Sequence, residues 1–266
     1  MTRLRIYLRI VKMHLMYDSV YRGRMFVYAL MSFLYTVIFL AIWLSVVGGG
    51  ELEGFTQRTF VTYFIGVFLI SKMVFAYGLV ELGGTIRRGE LSKFLVKPVA
   101  FMRQYAVGEH ATHVTQVLLA IPVILIALAL YWGKFQGPSS IAGLGVMAIA
   151  ILCASLLMQS IAHIIGMIAF WLEDTKGVIA MYFAADMFLS GHVAPLALLP
   201  DWLERLSLYL PFRYFASFPM EIYLGQVSTD EIALGFGILF GWLVIMHLLS
   251  RLVWARGIRR YTAVGM

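Results

Sequence analysis

The sequence predicts an all-α integral membrane protein with six transmembrane helices. An amphipathic interfacial helix precedes them, a short amphipathic helix follows the second span, and short re-entrant helices precede the last. Three observations carry that class. Of 266 residues, 61% are hydrophobic and 13% charged, where soluble domains are about a quarter charged. A mean hydropathy of +0.86 leaves too little polar surface to coat a water-soluble globule of this size. The apolar runs are long and continuous, as helices crossing the bilayer must be, whereas a membrane barrel alternates polarity over segments of about 10 residues.

The elements follow in order. Leu4, Leu8, Val11 and Leu15 share one helical face and Arg5, Arg9 and Lys12 another. Residues 1–24 therefore read as a helix in the membrane interface with its cations toward anionic headgroups; bracing a cytoplasmic partner is the other role open to it. At about 20 apolar residues per crossing, spans fall at 25–47, 60–82, 113–132, 141–171, 177–190 and 232–254. The fourth run is overlong and is expected to tilt or extend past the bilayer. The fifth is short, and its outer end runs into Gly191 and Pro195. Because the first run is long and 44–50 offers no small-x-small site, a cleavable signal is not expected. The lone cysteine, Cys153, lies inside an apolar run as a buried thiol and excludes a disulfide framework within the chain.

The net charge of +7 is not a nucleic-acid signature, because the basic residues sit in caps and loops with no aromatic-interleaved basic domain. They report topology. Six spans place both termini on one face together with Arg87, Arg88, Lys93, Lys97, Arg103 and Lys176, and that face has sixteen Lys and Arg residues. The other has four, Arg58, Lys134, Arg205 and Arg213. The positive-inside rule makes the richer face, and so both termini, cytoplasmic.

The second-to-third loop, 83–112, contains a polar island, TIRRGELSKFLVKP at 85–98. Leu91, Phe94 and Leu95 fall on one side of about two helical turns, and Pro98 is placed to end them. Two roles fit such a helix: insertion into a groove on another protein, or lying on the bilayer with its arginines on lipid phosphates. On the opposite face, 191–230 is too long for a hairpin and too apolar for a soluble domain. Pro195, Pro200, Pro211 and Pro219 break it into short helices, while Trp202, Tyr209, Phe212 and Tyr214 suit the headgroup layer. Two short helices dipping into the outer leaflet are expected.

Charged side chains within a span are costly. Lys72, Asp186 and His163 lie about 15, 14 and 12 Å from the cytoplasmic ends of their spans at 1.5 Å per residue. They are expected to form one layer, with Lys72 and Asp186 approaching each other within a subunit or across a dimer, either as a structural ion pair or in the substrate path. Glu109, His110 and His113 sit at the mouth of the third span, where two histidines without cysteine make a poor metal site. Ser190-Gly191-His192 places a hydroxyl near an imidazole, but neighbours in a turn are not expected to point at each other and no orienting acid is evident.

On these residues the chain resembles the permease subunits of type-2 ABC exporters. The resemblance covers essentially the whole chain and rests on the basic interfacial helix, the six spans, the loop Gly89-Glu90-Leu91…Leu95-Val96-Lys97-Pro98, and Gly191…Pro195…Leu199-Pro200-Asp201-Trp202…Leu210-Pro211-Phe212. It implies that 87–98 is a coupling helix, with Arg87, Arg88, Gly89, Glu90, Leu91, Phe94, Leu95 and Pro98 seated on an ATPase. It also implies a secondary contact at 171–176 through Glu173 and Asp174, and an external gate of Gly191, Pro195, Pro200, Trp202, Pro211 and Phe212. No Gly-x4-Gly-Lys-Ser/Thr loop occurs, so ATP and Mg would be bound by separate ABC ATPase subunits. The chain itself would have no cofactor or catalytic residue, and a second permease subunit, identical or related, is implied. The expected whole is one permease domain, 1–266, multi-pass in a bacterial plasma (inner) membrane and exporting amphipathic or hydrophobic substrate. The alternatives are an intramembrane enzyme and a non-transporting assembly factor.

Overall fold

The structure, a computed structural model, describes residues 3–97 and 99–261; Pro98 and the side chain of Leu4 lie outside the described residues. Among the described residues, the regular structure is helical apart from one small hairpin. Helix α1 (Arg3–Val20) is joined through Tyr21 to α2 (Arg22–Val47). Strands β1 (Glu51–Leu52) and β2 (Phe55–Thr56) pair about a two-residue turn, Glu53-Gly54, in which both residues have positive φ as such hairpins require. Then follow α3 (Gln57–Val74), α4 (Gly78–Arg87), α5 (Ser92–Leu95), α6 (Phe101–Leu130) and α7 (Ile141–Met167), the last extended by a 3-10 turn, Ile168–Phe170. Helix α8 (Lys176–Leu189) leads to a 3-10 turn, Leu196–Leu198, α9 (Asp201–Tyr209), a second 3-10 turn, Phe212–Phe215, and α10 (Ser217–Leu224). Helix α11 (Thr229–Gly257) closes the fold and is started by a reciprocal capping box between Ser228 and Glu231.

Among the described residues, five helical stretches are long and apolar enough to cross a membrane: 22–47, 57–87, 101–130, 141–170 and 229–257. The predicted fifth span is α8, whose 14 residues reach only about 21 Å. The predicted third span begins earlier than its apolar run, because α6 starts at Phe101 and carries its polar residues Gln104, Glu109, His113 and Gln116 buried.

Helices α3 and α7 form the centre. Every residue of α3 from Thr59 to Ile65 is buried, and its aromatic residues pack with α7, the 3-10 turn at Phe212–Phe215 and α10 in one large core. Helix α2 buries only Met25, Ala29 and Leu40 and so borders this core rather than building it. A second, smaller core lies toward the basic end, made by Leu82, Ile86, Leu91, Phe101 and Met167.

The second predicted span, 60–82, is not one helix. It breaks at Phe75–Tyr77, near the boundary between the two cores, where Phe75 is extended (φ −60°, ψ 127°). Backbone groups freed inside a membrane must find partners, and α6 supplies them. Glu109 Oε2 accepts from the Tyr77 N–H at 2.9 Å, with the Gly78 N–H also directed at its carboxyl. The His113 ring N–H donates to the Phe75 carbonyl at 2.9 Å. Glycine is required at 78, since a Cβ there would stand 2.3 Å from the Tyr105 ring and 2.8 Å from Glu109. A carboxylate at the N-terminus of α4 is also placed well for the helix dipole. Glu109→Ala strands these N–H groups and should destabilise the protein by about 1–3 kcal/mol, whereas Glu109→Gln keeps an acceptor and should cost less. Thermal unfolding of the purified protein in detergent reads that order.

Candidate functional site

The basic end of the molecule is a compact platform built on α4. After Arg87 the chain turns at Gly89 (φ 69°), a left-handed conformation that favours glycine, and α5 forms a single helical turn. Three hydrogen bonds hold this turn. The Ser92 hydroxyl donates to the Gly89 carbonyl at 2.8 Å. The Tyr261 hydroxyl donates to the same carbonyl at 2.6 Å and accepts from the Ser92 N–H at 3.1 Å. A residue beyond the last span thus ties both sides of the loop.

The apolar face predicted for 91–95 is divided, which corrects the expectation of a face free to enter a groove. Leu91 is fully buried in the smaller core. Phe94 meets Phe101 edge-on at 5.2 Å, and Phe101 stacks on Trp254 at 5.7 Å. Leu95 and Val96 remain outside, 44% and 86% exposed. Around them lies a charged surface in which Glu90 pairs with Arg88 at 3.0 Å and with Lys93 at 3.9 Å. The hydrogen bond from Arg88 holds the Glu90 carboxyl below the ordinary carboxylate range, so this group is anionic at neutral pH. Arg87 Nη1 donates to Thr175 Oγ1 at 3.1 Å and thereby joins the island to the 171–176 loop. There Glu173 and Asp174 are exposed, and Asp174 accepts from the Lys176 N–H at the start of α8. The two predicted contact segments form one continuous face. Pro98 lies outside the described residues.

The intramembrane layer does not assemble as predicted. Within the protomer, the ion pairs among the described residues are Arg88–Glu90, Lys93–Glu90 and Arg213–Glu221, and Lys72 does not meet Asp186. Successive residues of a helix point about 100° apart. Ser71 lines the same cavity as Asp186, whereas Lys72 lies over the ring of Phe68, 4.9 Å away, toward the α6 side. That cavity, about 50 Å³, is also lined by Val74, Phe75, Met158, His192 and Phe215. His163 is elsewhere, edge-on to Tyr105 at 5.8 Å.

Ser190 and His192 do touch, against expectation. The Ser190 hydroxyl also lies 2.5 Å from the Asp186 carbonyl, which competes with His192 Nδ1 for its single proton. His110 and His113 face each other at 5.6 Å, but His113 is spent on the α3 break. Among the described residues no group of three or more His, Cys, Asp or Glu side chains could hold a metal ion.

At the far end, Pro195, Pro200 and Pro211 each stand immediately before a short helix, where a missing N–H costs nothing. The Gly191 carbonyl accepts from Tyr63 and the Val193 carbonyl from Trp43. Phe212 packs on Tyr182 of α8. Arg213 forms a buried pair with Glu221 at 2.5 Å, and the second carboxylate oxygen of Glu221 accepts from Ser217 at 2.8 Å. The segment is therefore knit to α2, α3 and α8, while Trp202 projects outward, 68% exposed. Sequence reasoning missed Tyr261, which carries no signal in the chain, and the role of Glu109 with His113, whose spacing of four on one helix face was such a signal.

Helices of membrane-crossing length around one apolar core, with a charged platform at one end, define a multi-pass helical membrane protein. The chain belongs to the ABC-2 transporter family: residues 26–265 match the family described as "ABC-2 family transporter protein", a family of transporter membrane subunits. It is similar to "Probable multidrug ABC transporter permease YbhR" of Escherichia coli (strain K12) and to the protein of the same name in Escherichia coli O157:H7. Each is 25% identical over 150 residues, covering 54% of this chain and 38% of the relative. The matched stretch thus spans little more than a third of those relatives.

Tyr261→Phe removes the hydroxyl from both of its bonds while keeping the ring. Hydrogen exchange at the Ser92 amide should accelerate by about tenfold, as expected for loss of roughly 1.4 kcal/mol of local protection, with exchange in α3 and α7 unchanged.

Proposed function

We propose that this chain is the membrane-spanning subunit of an ATP-driven ABC exporter. It pairs with a second permease subunit, a copy or a relative, and with separate ABC ATPase subunits that bind ATP and Mg. The cargo is amphipathic or hydrophobic and leaves the cytoplasm across a bacterial inner membrane, with both termini of the chain cytoplasmic. Family membership supports the transporter class. The sixteen-to-four charge asymmetry supports the orientation. The multidrug description of the relatives and the aromatic, methionine-bearing interior support the cargo class. Helix α8 is the sixth crossing in this reading: at about 21 Å it falls short of a hydrocarbon core of about 30 Å, and the knit segment after it completes the passage.

The observation that carries the proposal is the platform. Arg88, Glu90, Lys93, Leu95 and Val96 are held out by a rigid turn, beside Glu173 and Asp174, and the turn is continuous with α4. An ATPase cleft seated there exerts force on α4, which packs along α7 and is separated from α3 by the capped break. Movement on ATP closure is thus delivered to the second and fourth spans. The segment at 191–230 closes the outer end of the pathway as its gate.

Substituting Glu90→Arg together with Leu95→Asp alters the exposed charge and apolar contact without touching either core. The associated ATPase should bind at least about tenfold more weakly, about 1.4 kcal/mol, or hydrolyse ATP without response to the permease, while membrane insertion and melting stay as in the wild type. Copurification with undiminished, permease-dependent hydrolysis would contradict the assignment.

A further inference from the structure

We propose that the cavity beside Asp186 receives the primary ammonium group of the cargo, which makes amphipathic alkylamines the substrate class of this chain. The proposal rests on the transporter reading above only for calling the bound amine cargo. Asp186 Oδ1 is buried and has no hydrogen-bond partner, and none of the three ion pairs among the described residues includes Asp186. The Ser190 hydroxyl stands near the carboxyl, but the Asp186 carbonyl and His192 Nδ1 compete for its single proton. Lys72, the cation expected to pair with Asp186, lies over the Phe68 ring instead. A carboxylate in apolar surroundings without a counter-charge is costly, and the cavity of about 50 Å³ that it lines is where a counter-charge fits.

The lining selects the kind of cation. Ser71 lines the cavity and gives its own proton to the Phe68 carbonyl at 2.7 Å, so its oxygen can accept. Asp186 and Ser71 thus offer two acceptors to a group with several N–H donors, as a primary ammonium is. The rings of Phe75 and Phe215 suit a cation, and Val74 and Met158 suit the first methylenes behind it. A water-sized group needs about 10–15 Å³ of such space, so the cavity holds roughly four non-hydrogen atoms. An NH3+ group with its first methylenes fits, and a trimethylammonium head does not. A hard metal ion such as calcium takes about six to eight oxygen ligands, far more than one carboxylate and one hydroxyl supply. The rest of the cargo has a bed outside. Helix α8 buries only Tyr182 and so stands at the edge of the protomer. Phe183, three residues before Asp186 and therefore on the same side of α8, stacks on Phe75 at 6.1 Å. Phe183 and Met187 are exposed and offer an apolar surface along which an alkyl tail lies.

The test measures saturable binding of tritiated n-octylamine to the purified full chain in neutral detergent at neutral pH, where an alkylamine is protonated. Unlabelled n-octylamine, n-octanol and octyltrimethylammonium compete in parallel. Octylamine should displace the label, and the other two should do so at least about tenfold less well, since neither offers a charged N–H donor. Asp186→Asn keeps the shape of the side chain and removes its charge, and should weaken binding by at least about tenfold. Val74→Phe, which fills the cavity and leaves the carboxyl in place, should weaken it likewise. Asp230→Asn, at the exposed start of α11, should leave binding unchanged. Absence of saturable binding to the wild type, or undiminished binding in folded Asp186→Asn, overturns the site. Equal competition by octanol reduces the binding to partition of the alkyl chain, equal competition by octyltrimethylammonium to any cation, and an equal loss in Asp230→Asn to diffuse charge; each result overturns the primary-ammonium assignment. Should Asp186→Asn unfold, Val74→Phe and the competition at the wild-type chain decide. No ATP or ATPase takes part, so failure here is distinct from failure of the transporter reading, which shows in ATPase association.

Discussion

The rest of the structure depends on how one interrupted helix satisfies its backbone inside the membrane. A break at Phe75–Tyr77 frees N–H and carbonyl groups where no water can pair with them, and in hydrocarbon that is prohibitive unless protein supplies partners. Glu109 and His113, one turn apart on α6, supply one to each side of the break. The result is a jointed second span. Above the joint α3 is locked into the large aromatic core; below it Leu79 of α4 still joins that core, while Leu82 and Ile86 belong to a separate, smaller core with its own aromatic neighbours. The two polar side chains thereby stabilise the joint between α3 and α4.

The platform is correspondingly self-contained. Leu91 and Phe94 are consumed by internal packing, and Tyr261 fastens the loop to the end of α11. What remains outside is a mixed surface of charge and two aliphatic side chains. Exposed ion pairs such as Arg88–Glu90 contribute little stability, so their arrangement matters for recognition rather than for folding. Burial of the apolar face also changes the picture of the contact. In the proposed contact the loop is a preformed shape, which lowers the entropic cost of association.

Much of this was legible in the sequence, and the failures have physical causes. Apolar run length located five helices long enough to cross a membrane because hydrocarbon imposes a strong length and polarity filter. The prolines at 195, 200 and 211 marked helix starts because their backbone restriction is local. A short helix near 91–95 was likewise visible, although it is a single turn and Gly89, read as part of the coupling helix, is a left-handed turn before it. Within the protomer the expected Lys72–Asp186 contact does not form, because depth in the membrane says nothing of azimuth: Ser71 lines the cavity of Asp186, and Lys72, one residue on, lies over the Phe68 ring. The break in the second span was not read because the groups that stabilise it, Glu109 and His113, lie on another helix. The tether from Tyr261 was hidden for the same reason, since its partners are 169 and 172 positions away.

The central claim is that the face formed by 87–97 with 171–176 is where an ABC ATPase sits. Site-specific photo-crosslinking in native membranes tests it most directly, with the crosslinking side chain placed at Val96 on the platform and, separately, at Trp202 on the opposite end. The account predicts that Val96 yields a covalent adduct with a protein bearing a Gly-x4-Gly-Lys-Ser/Thr loop, identified by peptide mass spectrometry, and that Trp202 yields none. An adduct with such a protein from Trp202, or its absence from Val96 in membranes that contain the assembled complex, would contradict it.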